Sequence, residues 1–174
     1  MKIENKEIKA DEGKWVARKS HCKYYEDYFP ISTILPNETL EDFIEVDTRP
    51  SEDVRLLDEA KEAKIAELND YNMSEAVNTF SIMGEKQKWL NPNERVVARD
   101  TCNALQRKGE MQAPFGDTMV PITFALDCLD SLNIYAMETM QTEKIHRENI
   151  DALTTIEQVE AYDYKIGWPT PPSF

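Results

Sequence analysis

Behind Pro121, the residues Ile122, Ala125, Leu126, Leu129, Leu132, Ala136 and Met140 recur at helical spacing. No other feature constrains the fold as strongly. Side chains three and four residues apart share one face of a helix, and an apolar face this broad has to be buried. The stripe predicts a long helix at the core of the carboxy-terminal half. At 174 residues, the chain can bury that face without a disulfide or metal staple. With 41% hydrophobic and 30% charged residues it is globular rather than disordered.

The elements that would cover this helix are also readable. Val77-Asn78-Thr79-Phe80-Ser81-Ile82 alternates, Met83-Gly84-Glu85 turns, and Lys86-Gln87-Lys88-Trp89-Leu90 returns. That is a β-hairpin with Phe80, Ile82 and Trp89 on its apolar face. Asn91-Pro92-Asn93-Glu94 then carries an N-cap, a proline at the first position and an acid at the third. Val96, Val97, Ala104 and Leu105 are expected on the buried side of the helix it starts, and Gly109 at its end. Residues 111–120, with Pro114, Phe115 and Gly116, suit a second strand pair or an irregular loop. Thr154-Thr155-Ile156-Glu157 is another capping box, opening a short helix with Val159, Ala161 and Tyr162.

The amino-terminal part reads as β-rich. Ile8 and Trp15-Val16-Ala17 flank the turn signal Asp11-Glu12-Gly13, which predicts a hairpin across it. Pro30 and Pro36 bracket Ile31-Ser32-Thr33-Ile34-Leu35, which marks an edge strand. Thr39-Leu40-Glu41-Asp42 predicts a single capped helical turn. Ser51 caps a longer helix whose stripe, Val54, Leu57, Lys61, Ile65 and Leu68, is narrow and broken by a lysine. Much of that helix should face water. The fold class is therefore α+β: a β-rich module over residues 1–50, an acidic connecting helix over 51–72, and an α+β domain over 73–174. In that last domain the hairpin packs on two or three helices, one of them long.

Charge narrows the partners. The net charge is −13, from 20 basic and 33 acidic residues, so the basic footprint of a nucleic-acid binder is missing. Residues 38–75 hold thirteen acids and four bases, which is most of the excess. This stretch is either a solvated face that keeps the protein soluble or a docking surface for a basic partner. No apolar run approaches the roughly 18–20 residues that span a bilayer. The first residues lack the apolar core of a signal peptide, so synthesis in the cytoplasm without a membrane anchor is expected.

Reactive chemistry is sparse. Cys22, Cys102 and Cys128 are too far apart in sequence for a zinc motif or a redox dithiol. Cys102 and Cys128 lie in apolar helical patterns, where a buried, inert thiol is expected. The two histidines, His21 and His146, lack companions at ligand spacing, and satisfied or surface roles are expected for both. No phosphate loop, nucleophile elbow, kinase or zinc-protease pattern is present. The acid pairs lie on charged helical segments rather than in a buried setting. No catalytic residue, metal or cofactor is assigned. The Pro-rich end has too little to bury alone, so Trp168 and Phe174 are expected to dock on their own domain or on a neighbouring chain.

A resemblance adds to this. Lys61-Glu62-Ala63-Lys64-Ile65-Ala66-Glu67-Leu68-Asn69, Tyr71, Val77-Asn78-Thr79-Phe80 and Trp89-Leu90-Asn91 resemble an uncharacterised family of phage and prophage proteins. Pro121-Ile122, Tyr135-Ala136 and His146 continue the likeness. Its most specific part is Ala152-Leu153-Thr154-Thr155 through Val159-Glu160-Ala161-Tyr162-Asp163-Tyr164, with the ending Gly167, Pro169 and Phe174. The likeness spans about residues 60–174. The segment 111–119 departs from the more hydrophobic Trp-Phe-Gly strand of the family. The family is a domain of unknown function, common in phages of gut bacteria and often near tail or virion-structure genes.

The resemblance implies a non-enzymatic structural component of a virion, in the tail, head–tail region or head decoration. It would be made in the host bacterial cytoplasm and located in the virion. It would act by oligomerisation and by docking on other phage structural proteins, with no direct contact to nucleic acid or membrane. Trp168, Pro169 and Phe174 are then candidate partner-interface residues. An assembly chaperone for a tail or fibre protein is the first alternative, and a small phage-encoded enzyme the second.

Overall fold

A computed structural model describes residues 1–115 and 118–174. The fold is mixed α+β. It divides into two compact units, Met1–Glu62 with Thr154–Glu160, and Ala63–Leu153 with Ala161–Phe174. Helix α1 (Asp53–Met73) contributes residues 53–62 to the first unit and residues 63–73 to the second.

In unit 1, β1 (Lys2–Glu4), β2 (Glu7–Lys9) and β4 (Ile31–Thr33) form an antiparallel sheet in the order β1-β2-β4. β3 (Trp15–Arg18) pairs with β5 (Phe43–Val46), also antiparallel. The bracketing prolines do mark an edge strand, since β4 ends its sheet. The hairpin across residues 11–13 does not form. The turn exists, with the Lys14 N–H on the Asp11 carbonyl at 3.0 Å, but the strands flanking it do not pair with each other. Both edges of β3 are taken, by β5 and by Phe29, whose N–H and C=O exchange bonds with Val16 at 2.9 and 2.8 Å. The hairpin lies one strand earlier, over Asn5-Lys6, where φ is 52° and 64°. Two residues with positive φ suit the twist of paired strands, and asparagine tolerates that conformation well. A lysine in the second position gives little hint of the turn.

The capped turn at Thr39 is present, as a 3-10 turn over Leu40–Asp42 in which the Asp42 carboxylate accepts the Thr39 N–H at 2.8 Å. Ser51 Oγ accepts the Asp53 N–H at 3.2 Å and starts α1. Leu68 is the one buried residue among the 21 of α1, in keeping with a narrow stripe and a wet surface.

Unit 2 holds the larger core. β6 (Thr79–Ile82) and β7 (Glu85–Lys88) form the expected hairpin over Met83-Gly84. α2 (Pro92–Arg107) begins with a reciprocal cap: Asn91 Oδ1 accepts the Glu94 N–H at 3.0 Å, and Glu94 accepts the Asn91 N–H at 2.8 Å. It ends at Gly109 with φ +83°, where the N–H groups of Gly109 and Glu110 bond the carbonyls of Gln106 and Leu105. This is the paired closure of a Schellman motif. β8 (Gln112–Phe115) and β9 (Thr118–Pro121) make the second strand pair; Gly116 lies outside the described residues.

α3 (Ile122–Ala152) then runs for 31 residues. Its side chains Ala125, Cys128, Leu129 and Leu132 join Phe80, Ile82, Cys102, Ala113, Phe115, Val120 and Ile122 in one contiguous cluster. α4 (Ile156–Ala161) follows, capped one residue later than expected: Thr155 Oγ1 accepts the Gln158 N–H, and Gln158 accepts the Thr154 N–H.

Two expectations on the helix faces need correction. Val96 and Val97 are 59% and 64% exposed; the inner face of α2 carries Arg95, Ala98, Cys102 and Leu105 instead. The phase is set by the covering of Cys102 and by Arg95, which reaches Asn133 Oδ1 at 2.8 Å and the Leu90 carbonyl at 2.6 Å. Met140 is 68% exposed. Beyond Leu132 the buried face of α3 passes to Tyr135, Thr139, His146 and Ile150, several of them polar. A hydropathy pattern favours the exposed methionine over a buried hydroxyl or imidazole that is hydrogen-bonded.

Candidate functional site

The chemistry-bearing residues of unit 2 gather where the closing segment returns to the unit. Two seats hold it. At the first, the Trp168 ring stacks on His146, with centroids 5.8 Å apart and planes at 27°, and meets Tyr71 edge-on at 5.7 Å. The Trp168 indole N–H donates to the Tyr164 carbonyl at 2.7 Å. His146 is buried, and both its ring nitrogens are satisfied, Nδ1 by the Tyr162 hydroxyl at 2.7 Å and Nε2 by the Ile166 carbonyl at 3.0 Å. A carbonyl only accepts, so Nε2 carries a hydrogen, and in the neutral ring Nδ1 then accepts from Tyr162. Asn149 donates to the same hydroxyl at 3.1 Å, which completes the chain. Every member is satisfied, so His146 serves as a bracket for Trp168 and the 162–166 turn.

At the second seat the last three residues add a parallel strand to β6. Ser81 N–H donates to the Pro172 carbonyl at 3.0 Å, Phe174 N–H to the Ser81 carbonyl at 3.0 Å, and Met83 N–H to the Phe174 carbonyl at 2.7 Å. The hydroxyls of Ser81 and Ser173 bond at 2.9 Å. The Phe174 ring packs edge-on against Phe80 and Phe124, at 6.4 and 6.5 Å. Backbone pairing supplies register, and the ring fills an aromatic seat at the rim of the core.

Of the residues singled out from sequence, Trp168 and Phe174 thus dock on their own unit, at different seats, with Pro169 between them and all three half-buried. The sequence does not point to Ser81 and Phe124 as the hosts of Phe174 and its strand. Parallel pairing between positions some ninety residues apart leaves no local pattern.

Elsewhere the side chains answer to packing. Cys102 and Cys128 are buried, and burial pushes both thiols up, Cys128 to about 11. Among the described residues no group of three His, Cys, Asp or Glu side chains could hold a metal ion. No helix among them is long and apolar enough to cross a membrane. A shallow groove of about 490 Å³ lies beside the hairpin, lined by Met73, Glu75, Asn78, Thr79, Lys86 and Trp89 among others. Lys86 bonds Glu75 at 2.6 Å and holds its carboxyl below the usual range, so the acid in this groove is already paired.

Unit 1 offers a cationic sandwich. The Arg49 guanidinium lies 3.9 Å from the Trp15 ring centroid and 3.3 Å from that of Tyr25. The ring quadrupoles attract the guanidinium and hold residue 49 against Trp15 of β3. Arg18 reaches Glu38 at 2.7 Å and the Thr33 carbonyl at 2.6 Å, tying β3 to β4 and to the turn that follows it.

Both seats hold the chain's own closing segment: the β6 edge pairs with residues 172–174, Phe80 and Phe124 take the Phe174 ring, and His146 braces Trp168. Comparisons with protein-family models, with curated proteins and with solved structures find no match for this chain.

Proposed function

We propose that the protein is a structural component of a bacteriophage virion, working through surfaces rather than through a reaction centre. The observation that carries this reading is the resemblance of residues 60–174 to a phage and prophage family, most specific from Ala152 to Tyr164. The kind of chemistry in unit 2 supports it, since strand pairing and aromatic seats are means of protein–protein attachment. So do the large apolar side chains left in water along α3: Ile134, Met137 and Met140 are each at least 60% exposed. Exposed apolar groups that recur on one element suit a subunit that meets neighbours.

The test is mass spectrometry of purified particles of the phage or prophage that encodes the chain, with copy number scaled to the major capsid protein. Stoichiometric presence is the expected result. Absence from particles, with abundance in lysates of infected cells, would overturn the structural role and favour an assembly chaperone for a tail or fibre protein.

A further inference from the structure

We infer that residues 172–174 are an exchangeable strand, and that the β6 edge with its Phe80–Phe124 socket takes the same segment from a second copy of this chain. The β6–β7 sheet has two strands, so without a third β6 presents an open edge. An open edge is a template for pairing; the outer edge of β7 is short and charged, whereas the β6 edge is covered. What covers it here is an element held by main-chain bonds, one bond between hydroxyls and one ring, all of which the same residues of a second copy could supply.

The pairing is compatible with release. Both main-chain groups of Ser81 serve the closing strand. Ser81 faces Lys86 across the hairpin, and the tight turn at Met83-Gly84 makes Ile82 and Glu85 the hydrogen-bonded pair that closes it. Lifting the strand off therefore leaves the β6–β7 ladder intact.

The hinge is compatible as well. Trp168 is fixed at the first seat, and Pro172 begins the second. Among the described residues nothing hydrogen-bonds residues 169–171, and Pro169, Pro171 and Pro172 have no N–H to give. A proline-rich spacer is extended and stiff, so it carries the strand outward without needing a fold of its own.

The seats offered by the same chain and by a second copy are identical in chemistry, so local concentration sets the balance. A short linker gives an effective concentration on the order of millimolar, which favours the strand's own chain in dilute solution. Copies held side by side compete on equal terms. This inference stands on the geometry alone. Exchange without virion incorporation would leave it intact, and incorporation without exchange would overturn it while sparing the proposed function.

The experiment uses full chains in a Cys22→Ser background, which leaves only the buried thiols Cys102 and Cys128. One chain carries Ser81→Cys and a second, differently tagged chain carries Ser173→Cys, at positions whose hydroxyls lie 2.9 Å apart. Mixed at rising protein concentration and oxidised, they are expected to give a disulfide-linked band containing both tags, growing with concentration. A chain carrying both substitutions serves as the reference. If it closes on itself while the mixture stays monomeric at every concentration, the strand is a fixed part of its own unit and the inference is wrong. Should the reference fail to close, a fluorescent peptide of residues 167–174 decides. Saturable binding to the unmodified protein, competed by unlabelled peptide, upholds exchange, and absence of binding refutes it.

Discussion

Unit 2 closes around a contiguous cluster of eleven buried side chains, among them Phe80, Phe115, Leu129 and Leu132; the corresponding cluster of unit 1 is Ile8, Val16 and Phe43. Unit 1 adds polar and cation–π contacts to its small cluster, with Arg18 spanning two strands and Arg49 clasped between two rings. Two ways of holding a small fold are present in one chain. A contiguous apolar core is insensitive to pH and to charge screening and sensitive to lost volume. A fold braced by charge responds to acid and ionic strength, because those contacts are screened or titrated away.

The sharpest way to break the contrast is Leu129→Ala. Leu129 is fully buried in the larger cluster, and truncation there is expected to cost about 2–5 kcal/mol. Denaturant unfolding of a Trp15→Phe variant, which keeps Trp89 and Trp168 as reporters of unit 2, measures it. A loss well under 1 kcal/mol would mean that the cluster is not what holds unit 2 together.

Arg95→Ala tests a charged residue buried beside that core. The side chain bonds Asn133 and the Leu90 carbonyl and lies 5.4 Å over the Trp89 ring. Burial lowers its affinity for a proton, yet an arginine stays charged. Removing it deletes two charge-assisted hydrogen bonds, to the Leu90 carbonyl and the Asn133 amide, at an expected cost of about 2 kcal/mol, read in the same unfolding assay. A neutral result would show that water replaces the guanidinium at no cost.

The smallest effect belongs to unit 1. Arg18, together with the Leu35 N–H, holds the Glu38 carboxyl below the usual carboxylate range. A carboxyl depressed by folding stabilises the fold above its unfolded value, roughly pH 4.3, and that contribution is lost as pH falls through the folded value. Acid should therefore shift the unfolding seen by Trp15 alone, in a Trp89→Phe, Trp168→Phe background, and Glu38→Gln should flatten that shift. An unchanged acid response in Glu38→Gln would assign it to other carboxylates.

Some of this architecture was legible before any coordinates. Asn91-Pro92-Asn93-Glu94, Gly109 and Ser51 mark helix ends because capping is a matter of three or four neighbouring residues. Met83-Gly84 marks its hairpin for the same reason. The misread places share a different property. Val96, Val97 and Met140 are apolar yet exposed, while the polar Arg95 and Thr139 take buried positions on the same helices; only the surrounding elements decide which face turns inward. The residues 11–13 look like a hairpin turn, but Phe29 and β5 had already claimed both sides of β3.

The candidate site divides in the same way. Trp168 and Phe174 stand out from sequence because large aromatics near an unstructured end have to be buried somewhere. Their hosts do not stand out. The stacking of Trp168 on His146 and the parallel pairing of Ser173 with Ser81 join residues far apart in the chain, through contacts that impose no spacing rule on either partner. By itself the sequence determined what is local: the α+β content, the helix caps, the tight turn of the second hairpin and the inert settings of Cys102 and Cys128. The tertiary structure alone decided what depends on closure over long stretches of chain. It set the phase of α2 and α3, the partners of β3, and the two seats that hold the closing segment. Backbone sterics and capping bonds act over a few residues, whereas burial and strand pairing are settled only when distant elements meet.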